Sequence, residues 1–161
     1  MNIALIIGLS LCLLAVFFQD WKYRRIHVGL PLAIFLFSFY IIQQQSNMMV
    51  GLIAYNLAFF GITLSILTLY MSIKNKRFLN PFQNYFGLGD LLFYAAVAPL
   101  FLLQNYILFF ILSMVFAIVL QIGLKKIIKE NTVPLAGFAS LFLFIIIIKD
   151  MMFGFQKITL L

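Results

Sequence analysis

Four acidic side chains, Asp20, Asp90, Glu130 and Asp150, are all that this chain of 161 residues offers for carboxyl chemistry. Its single cysteine, Cys12, and single histidine, His27, are too few for a zinc site, which draws three or four ligands from Cys, His and carboxylate. One cysteine also rules out an internal disulfide. Phosphate-cradling loops of the GxxxxGK(S/T) or GxGxxG type are missing, as are the HExxH zinc helix and a GxSG serine-protease motif. The remaining chemistry belongs to the acids. Asp90 closes Phe86-Gly87-Leu88-Gly89-Asp90, where two glycines can let an extended peptide lie close to the backbone. A second carboxyl beside it would complete a working pair. Two adjacent carboxyls in a low-dielectric site cannot both ionise cheaply, so such a pair holds one shared proton near neutral pH. The ionised member then takes a proton from water while the protonated one polarises a peptide carbonyl. That is aspartic-protease chemistry, and it needs neither metal nor cofactor.

The elements that would position such a pair are membrane spans. Apolar residues make up 65% of the chain, against roughly 45–50% in soluble domains. Charged residues make up 9%, where about 25% is usual, and the mean hydropathy is +1.14. Charge-free stretches run over 1–19, 28–73, 91–124 and 131–148. A helix needs about 20 apolar residues to cross the bilayer, so the two longest stretches each hold a pair of spans. The polar runs Gln43-Gln44-Gln45-Ser46-Asn47 and Gln104-Asn105 mark the expected turns. The sequence therefore predicts an all-α, six-span membrane domain covering residues 1–161, with helices near 2–19, 26–42, 48–73, 89–103, 106–124 and 133–153. Residues 1–19 carry no basic side chain, and the residues before Cys12 lack a lipoprotein cleavage signature, so the first run is expected to be a permanent span.

Charge sets the orientation. The first, third and fifth connections hold Lys22, Arg24 and Arg25; Lys74, Lys76 and Arg77; and Lys125, Lys126 and Lys129. Under the positive-inside rule these connections face the cytoplasm and both termini lie outside. The formal charge of +7 is thus read as orientation and lipid-headgroup contact, not as a nucleic-acid surface. In this topology Asp20 closes the first helix and Asp90 opens the fourth at one membrane depth. If those two helices are neighbours, the carboxyls meet beneath the cytoplasmic surface.

Plainer roles exist for each acid. Asp90 could cap its helix, and Asp20 could pair with Arg24 one turn on. Glu130, in a basic loop, reads as a solvated charge, and Asp150 as an interfacial partner of Lys149. His27 reads as a polar surface group, Cys12 as a small buried hydrophobe, and Trp21 as part of an interfacial aromatic belt.

Three stretches together resemble the type IV prepilin peptidase family of membrane aspartic proteases. They are Asp20-Trp21-Lys22-Tyr23-Arg24-Arg25-Ile26, the GxGD element Gly87-Leu88-Gly89-Asp90, and Val133-Pro134-Leu135-Ala136-Gly137-Phe138 at the start of the last helix. The resemblance implies a multi-pass peptidase of the bacterial cytoplasmic membrane with catalytic Asp20 and Asp90. Gly87, Gly89, Arg24 and Arg25 would support the loops that hold substrate. The implied substrate is the short basic leader of a prepilin-like protein, cut at the cytoplasmic face for pilus, secretion or adhesion machinery. Two positions depart from the family: His27 stands where a Pro often follows the basic turn, and Leu92 where a Lys often follows the GxGD aspartate. The cysteine-bearing insertion of larger, methylating members has no counterpart, so the short peptidase-only form fits best.

Three other readings compete. A presenilin or signal-peptide-peptidase relative also uses GxGD, but such chains have nine spans and a Tyr where Gln19 stands. A small transporter or channel subunit would use Asp20 and Asp90 to bind cations or relay protons, although neither lies at mid-membrane. A catalytically inactive pilin-assembly partner would bind leaders without cutting them.

Overall fold

A computed structural model of the chain describes residues 3–43, 49–75, 87–124, 133–153 and 159. They form six helices: α1 (Ile3–Tyr23), α2 (Gly29–Gln43), α3 (Met49–Asn75), α4 (Leu88–Val97), α5 (Leu103–Gly123) and α6 (Leu135–Phe153). Among the described residues there is no strand, and the all-α class stands. Four helices, α1, α3, α5 and α6, are long and apolar enough to cross a membrane, while α2 and the segment Leu88–Leu100 are shorter. Large apolar side chains such as Leu11, Phe18, Leu36, Ile66, Ile118 and Met152 face outward. A water-soluble surface does not tolerate so much exposed hydrocarbon, whereas lipid does. The polar turn 44–47 and the basic residues Lys76, Arg77, Lys125, Lys126 and Lys129, with Glu130, lie outside the described residues.

Helix α6 is the hub on one side and α2 on the other. Helix α1 packs most extensively against α6, then against α2, and α2 in turn packs along α4. The fully buried core runs through Leu9, Leu13, Val16, Ile34, Phe93, Val97, Ala139 and Leu143, with half-buried Cys12 packed against it as a small hydrophobe. Helix α3 is the least buried of the long helices.

The fourth span departs most from its expected form. It was placed over 89–103 with a turn at Gln104-Asn105, yet the α-helix ends at Val97. A 3-10 turn follows over Ala98–Leu100, and Gln104 and Asn105 lie in the first turn of α5. Pro99 sits inside that 3-10 turn, where its missing N–H and fixed φ end the α-helical ladder. At about 1.5 Å per residue, the ten residues of α4 span only half of a hydrocarbon layer about 30 Å thick. The broken backbone therefore sits within the protein interior. Irregular backbone at that depth survives only when protein groups satisfy it. Fully buried Asn56 of α3 does so, its Nδ2 donating to the carbonyls of both Ala98 and Phe101 at 2.8 Å. Residues Ala98, Leu100 and Phe101 are themselves fully buried. Next to the break, Tyr106 Oη donates to the Tyr94 carbonyl at 2.9 Å, and the Tyr94 and Ser113 hydroxyls share a 2.8 Å hydrogen bond.

Candidate active site

Asp20 does not close α1 from outside but lies in its last turn, because α1 continues to Tyr23. Arg24 then takes the left-handed conformation (φ 53°), with its N–H donating to the Asp20 carbonyl at 3.1 Å. That is a helix stop usually left to glycine. The chain crosses through Arg25, Ile26 and His27 before α2 begins at Gly29, three residues later than expected. His27 is exposed and organises this crossing. Its N–H donates to Gln19 Oε1 at 3.1 Å, and its Nδ1 accepts from the Gly29 N–H at 3.2 Å. Ile26 then turns back onto the GxGD loop, where a Cβ on Gly89 would lie 3.0 Å from Ile26 Cδ1.

Asp90 is the third residue of α4, and Gly87 is the residue that caps the helix. The Asp90 carboxylate reaches back, Oδ2 accepting the Gly87 N–H at 3.2 Å. Gly87 itself is extended (φ −65°, ψ 143°), so the loop does not draw on the positive φ that glycine allows. Close approach is its reason: a Cβ there would meet Asp90 Oδ2 at 3.1 Å. The plain reading of Asp90 as a cap accounts for Oδ2 but leaves Oδ1 free for other work.

The two carboxyls converge on a third helix. The Ala136 N–H donates to Asp90 Oδ1 at 2.7 Å, and the adjacent Gly137 N–H donates to Asp20 Oδ2, also at 2.7 Å. Both amides belong to the first turn of α6, whose N–H groups have no partner within the helix. Pro134 starts the helix, its carbonyl accepting the Phe138 N–H at 3.0 Å. Amide nitrogens of neighbouring helical residues are about 2.8 Å apart, so the oxygens they hold are at most about 8 Å apart. The expected direct packing of the first helix on the fourth is not what joins them. Helices α1 and α4 barely touch, and α6 and α2 are their common neighbours.

Asp20 is 7% exposed and Asp90 half-buried, and each carboxyl lies in the electrostatic field of the other. Among the described residues no lysine or arginine closes an ion pair on either, and Arg24 acts on Asp20 only at Coulombic range. The positive end of α6 supplies the local compensation for negative charge. Beside this junction, the Trp21 ring meets Phe138 edge-on at 5.7 Å, so residues 20 and 21 of α1 pair with 137 and 138 of α6. Trp21 is thus a packing residue. Arg24 is half-buried and Arg25 exposed. Among the described residues no group of three or more His, Cys, Asp or Glu side chains could hold a metal ion.

A GxGD loop and a second aspartate gathered on one helix end are what the third stretch of the resemblance had left without a role. Comparison with known families now gives a direct result: residues 7–122 match the model of the type IV leader peptidase family. The chain belongs to the type IV leader peptidase family. No curated protein and no solved structure matches it significantly. The matched stretch takes in α1 to α5 and both aspartates but stops short of α6, the helix that carries the two amides. Those amides are the part of the site that sequence reasoning did not name. The pattern Val133-Pro134-Leu135-Ala136-Gly137 signalled a helix start with small residues, but backbone donors carry no side-chain signature.

Proposed function

We propose that this leader peptidase is an aspartic endopeptidase that removes the leader of prepilin-like proteins at the cytoplasmic face of the bacterial inner membrane, with Asp20 and Asp90 as its catalytic pair. One observation carries the reading: two carboxyls distant in sequence are held on consecutive N–H groups of one helix end. A separation of at most about 8 Å matches an attacking water and the carbonyl it attacks, each within hydrogen-bond reach of one carboxyl. The ionised carboxyl accepts a proton as the water oxygen bonds to the carbonyl carbon, and the protonated carboxyl donates to the carbonyl oxygen. The carbon–nitrogen bond then breaks as one carboxyl gives its proton to the leaving amine and the other, now ionised, takes a proton from a hydroxyl of the tetrahedral intermediate, which becomes the product carboxylic acid. Each cycle consumes one water and leaves the pair with the one proton it began with.

The orientation follows the basic connections, which place the end of α1 and the starts of α4 and α6 on the cytoplasmic side. A substrate with an apolar helix in the bilayer and its leader in the cytoplasm presents its scissile bond at that depth. The test is cleavage of a co-expressed or co-reconstituted prepilin-like substrate by Asp20→Asn and Asp90→Asn. Each should abolish the product while the chain still inserts and the substrate still accumulates. Near-normal processing by either variant would remove the reading. Proton or cation flux sensitive to the same substitutions, with no peptide product, would favour a transporter instead.

A further inference from the structure

Gly137 lies so close to a candidate catalytic carboxyl that a side chain there would press on it. A Cβ built on it would lie 3.0 Å from both the Cβ and the Oδ2 of Asp20, and 3.4 Å from its Cγ. The obstacle would be the body of a short, 7% exposed side chain anchored in the last turn of α1, not the end of a long flexible one. Nor can α6 retreat freely. Its next residue, Phe138, is fully buried against Trp21, and Ala136 and Ala139 on either side are fully buried too. Helical φ is open to every residue at position 137, so the demand for glycine there is one of contact and not of backbone conformation.

We infer that Gly137 is a positioning residue of the peptidase reaction: its bare α-carbon and N–H, together with the Ala136 N–H, set the separation of the Asp20 and Asp90 carboxyls. The first turn of α6 works as a gauge. Two consecutive amides, rigidly spaced by the helix, each hold one oxygen at 2.7 Å, so neither carboxyl can shift without losing a hydrogen bond. Spacing by backbone leaves the remaining lone pairs of both carboxyls available for water and peptide. It also places the gauge outside the stretch that carries the family match, on a helix with no titratable side chain near the pair.

The inference rests on the aspartic reading, and the experiment separates the two. Wild-type chain, Gly137→Ala, Ala136→Pro, Gly61→Ala, Asp20→Asn and Asp90→Asn are purified at full length, reconstituted in liposomes and assayed with one prepilin-like peptide for kcat, KM, pH profile and thermal midpoint. Gly137→Ala displaces the Asp20 side chain by a few tenths of an ångström and should lower kcat about tenfold, less than the roughly hundredfold cost of a misplacement of about 1 Å, with KM within about threefold. Its pH–rate profile should also change shape, because the added methyl pushes only one of the two carboxyls away from its donor. Ala136→Pro deletes the other N–H at a first-turn position that tolerates proline, and decides the matter if Gly137→Ala fails to fold. It should show the same split. Gly61→Ala, on α3 with nothing within 4 Å of the new methyl, should match wild type. Wild-type kcat in Gly137→Ala or Ala136→Pro would overturn the inference, as would kcat, KM and midpoint falling together with an unchanged pH profile. If the two Asn variants are themselves active, the aspartic reading fails and the gauge with it. If they are dead and the gauge variants are not, the gauge alone fails.

Discussion

The two ends of α6 treat carboxylates in opposite ways. At the C-terminal end Asp150, with 1% of its side chain exposed, is fully committed. Lys149 Nζ donates to one oxygen at 2.9 Å, and the Thr159 N–H and Oγ donate to the other at 2.8 and 2.7 Å. At the N-terminal end Asp20 and Asp90 meet backbone donors and lie in each other's field, with no ion pair among the described residues. A carboxylate closed off by a cation and two donors fixes a chain segment in place. Two carboxyls held by backbone N–H groups alone, one on Asp20 and two on Asp90, keep lone pairs free and must manage one another's charge. The expected interfacial pair Lys149–Asp150 is present, and Thr159 adds to it a bond between the last helix and the residues beyond it.

The sharpest way to break this comparison is to neutralise each carboxyl in turn. Asp20→Asn and Asp90→Asn should each lower leader cleavage about a thousandfold or more, within the range that acid–base groups supply. Neither should lower the thermal midpoint by as much as Asp150→Asn, which removes the ion pair to Lys149 and weakens the bonds from Thr159 at a cost of about 1–3 kcal/mol. Asp150→Asn should still cleave within about threefold of wild type. Turnover and thermal unfolding of the same reconstituted samples check both halves, and an inactive Asp150→Asn would erase the distinction between the ends.

A second effect concerns the shared proton. Acid protonates both Asp20 and Asp90 and removes the base, while alkali ionises both and removes the acid. Cleavage should therefore follow a bell-shaped pH profile with losses on both sides of its maximum. A rate that rises monotonically across the accessible range would point to a single titrating group. Asn56→Ala probes a site with no carboxyl at all. It strips hydrogen bonds from the buried carbonyls of Ala98 and Phe101 and should destabilise the chain by about 2–3 kcal/mol in detergent unfolding. The smallest effect is expected at the aromatic contact beside the site. Trp21→Ala removes the edge contact to Phe138, worth about 0.5–1.5 kcal/mol, and should slow cleavage less than tenfold.

How much of this was legible in the residue order depends on which atoms carry the signal. Asp20 and Asp90 could be picked out because charge is rare in the spans, and the six helices followed from apolar runs split by polar knots. The break at Pro99 has no polar run to mark it, and Gln104-Asn105 offers the more obvious turn. Only the position of Asn56, donating across from α3, shows that the protein supports a true interruption there. The GxGD glycines were legible as points of close backbone approach, but what lies against extended Gly87 is the Asp90 carboxylate, and the left-handed residue is Arg24. Local identity does not reveal which atom will come close to a carboxylate. The same limit hid the amides of Ala136 and Gly137, since a backbone N–H is common to every residue but proline. Packing of α6 against α1 selects those two, and that packing is a property of the whole bundle.

The most direct measurement of the central claim, that Asp20 and Asp90 act as one unit, compares single-turnover cleavage by wild type, Asp20→Asn, Asp90→Asn and the double variant in liposomes. Groups that share one proton and one water are non-additive. Each single substitution should reduce the rate to that of the double variant, with no further loss on combining them. A single variant that keeps more than about a tenth of wild-type turnover would contradict the account. So would two partial losses that multiply in the double variant, as independent contributions do.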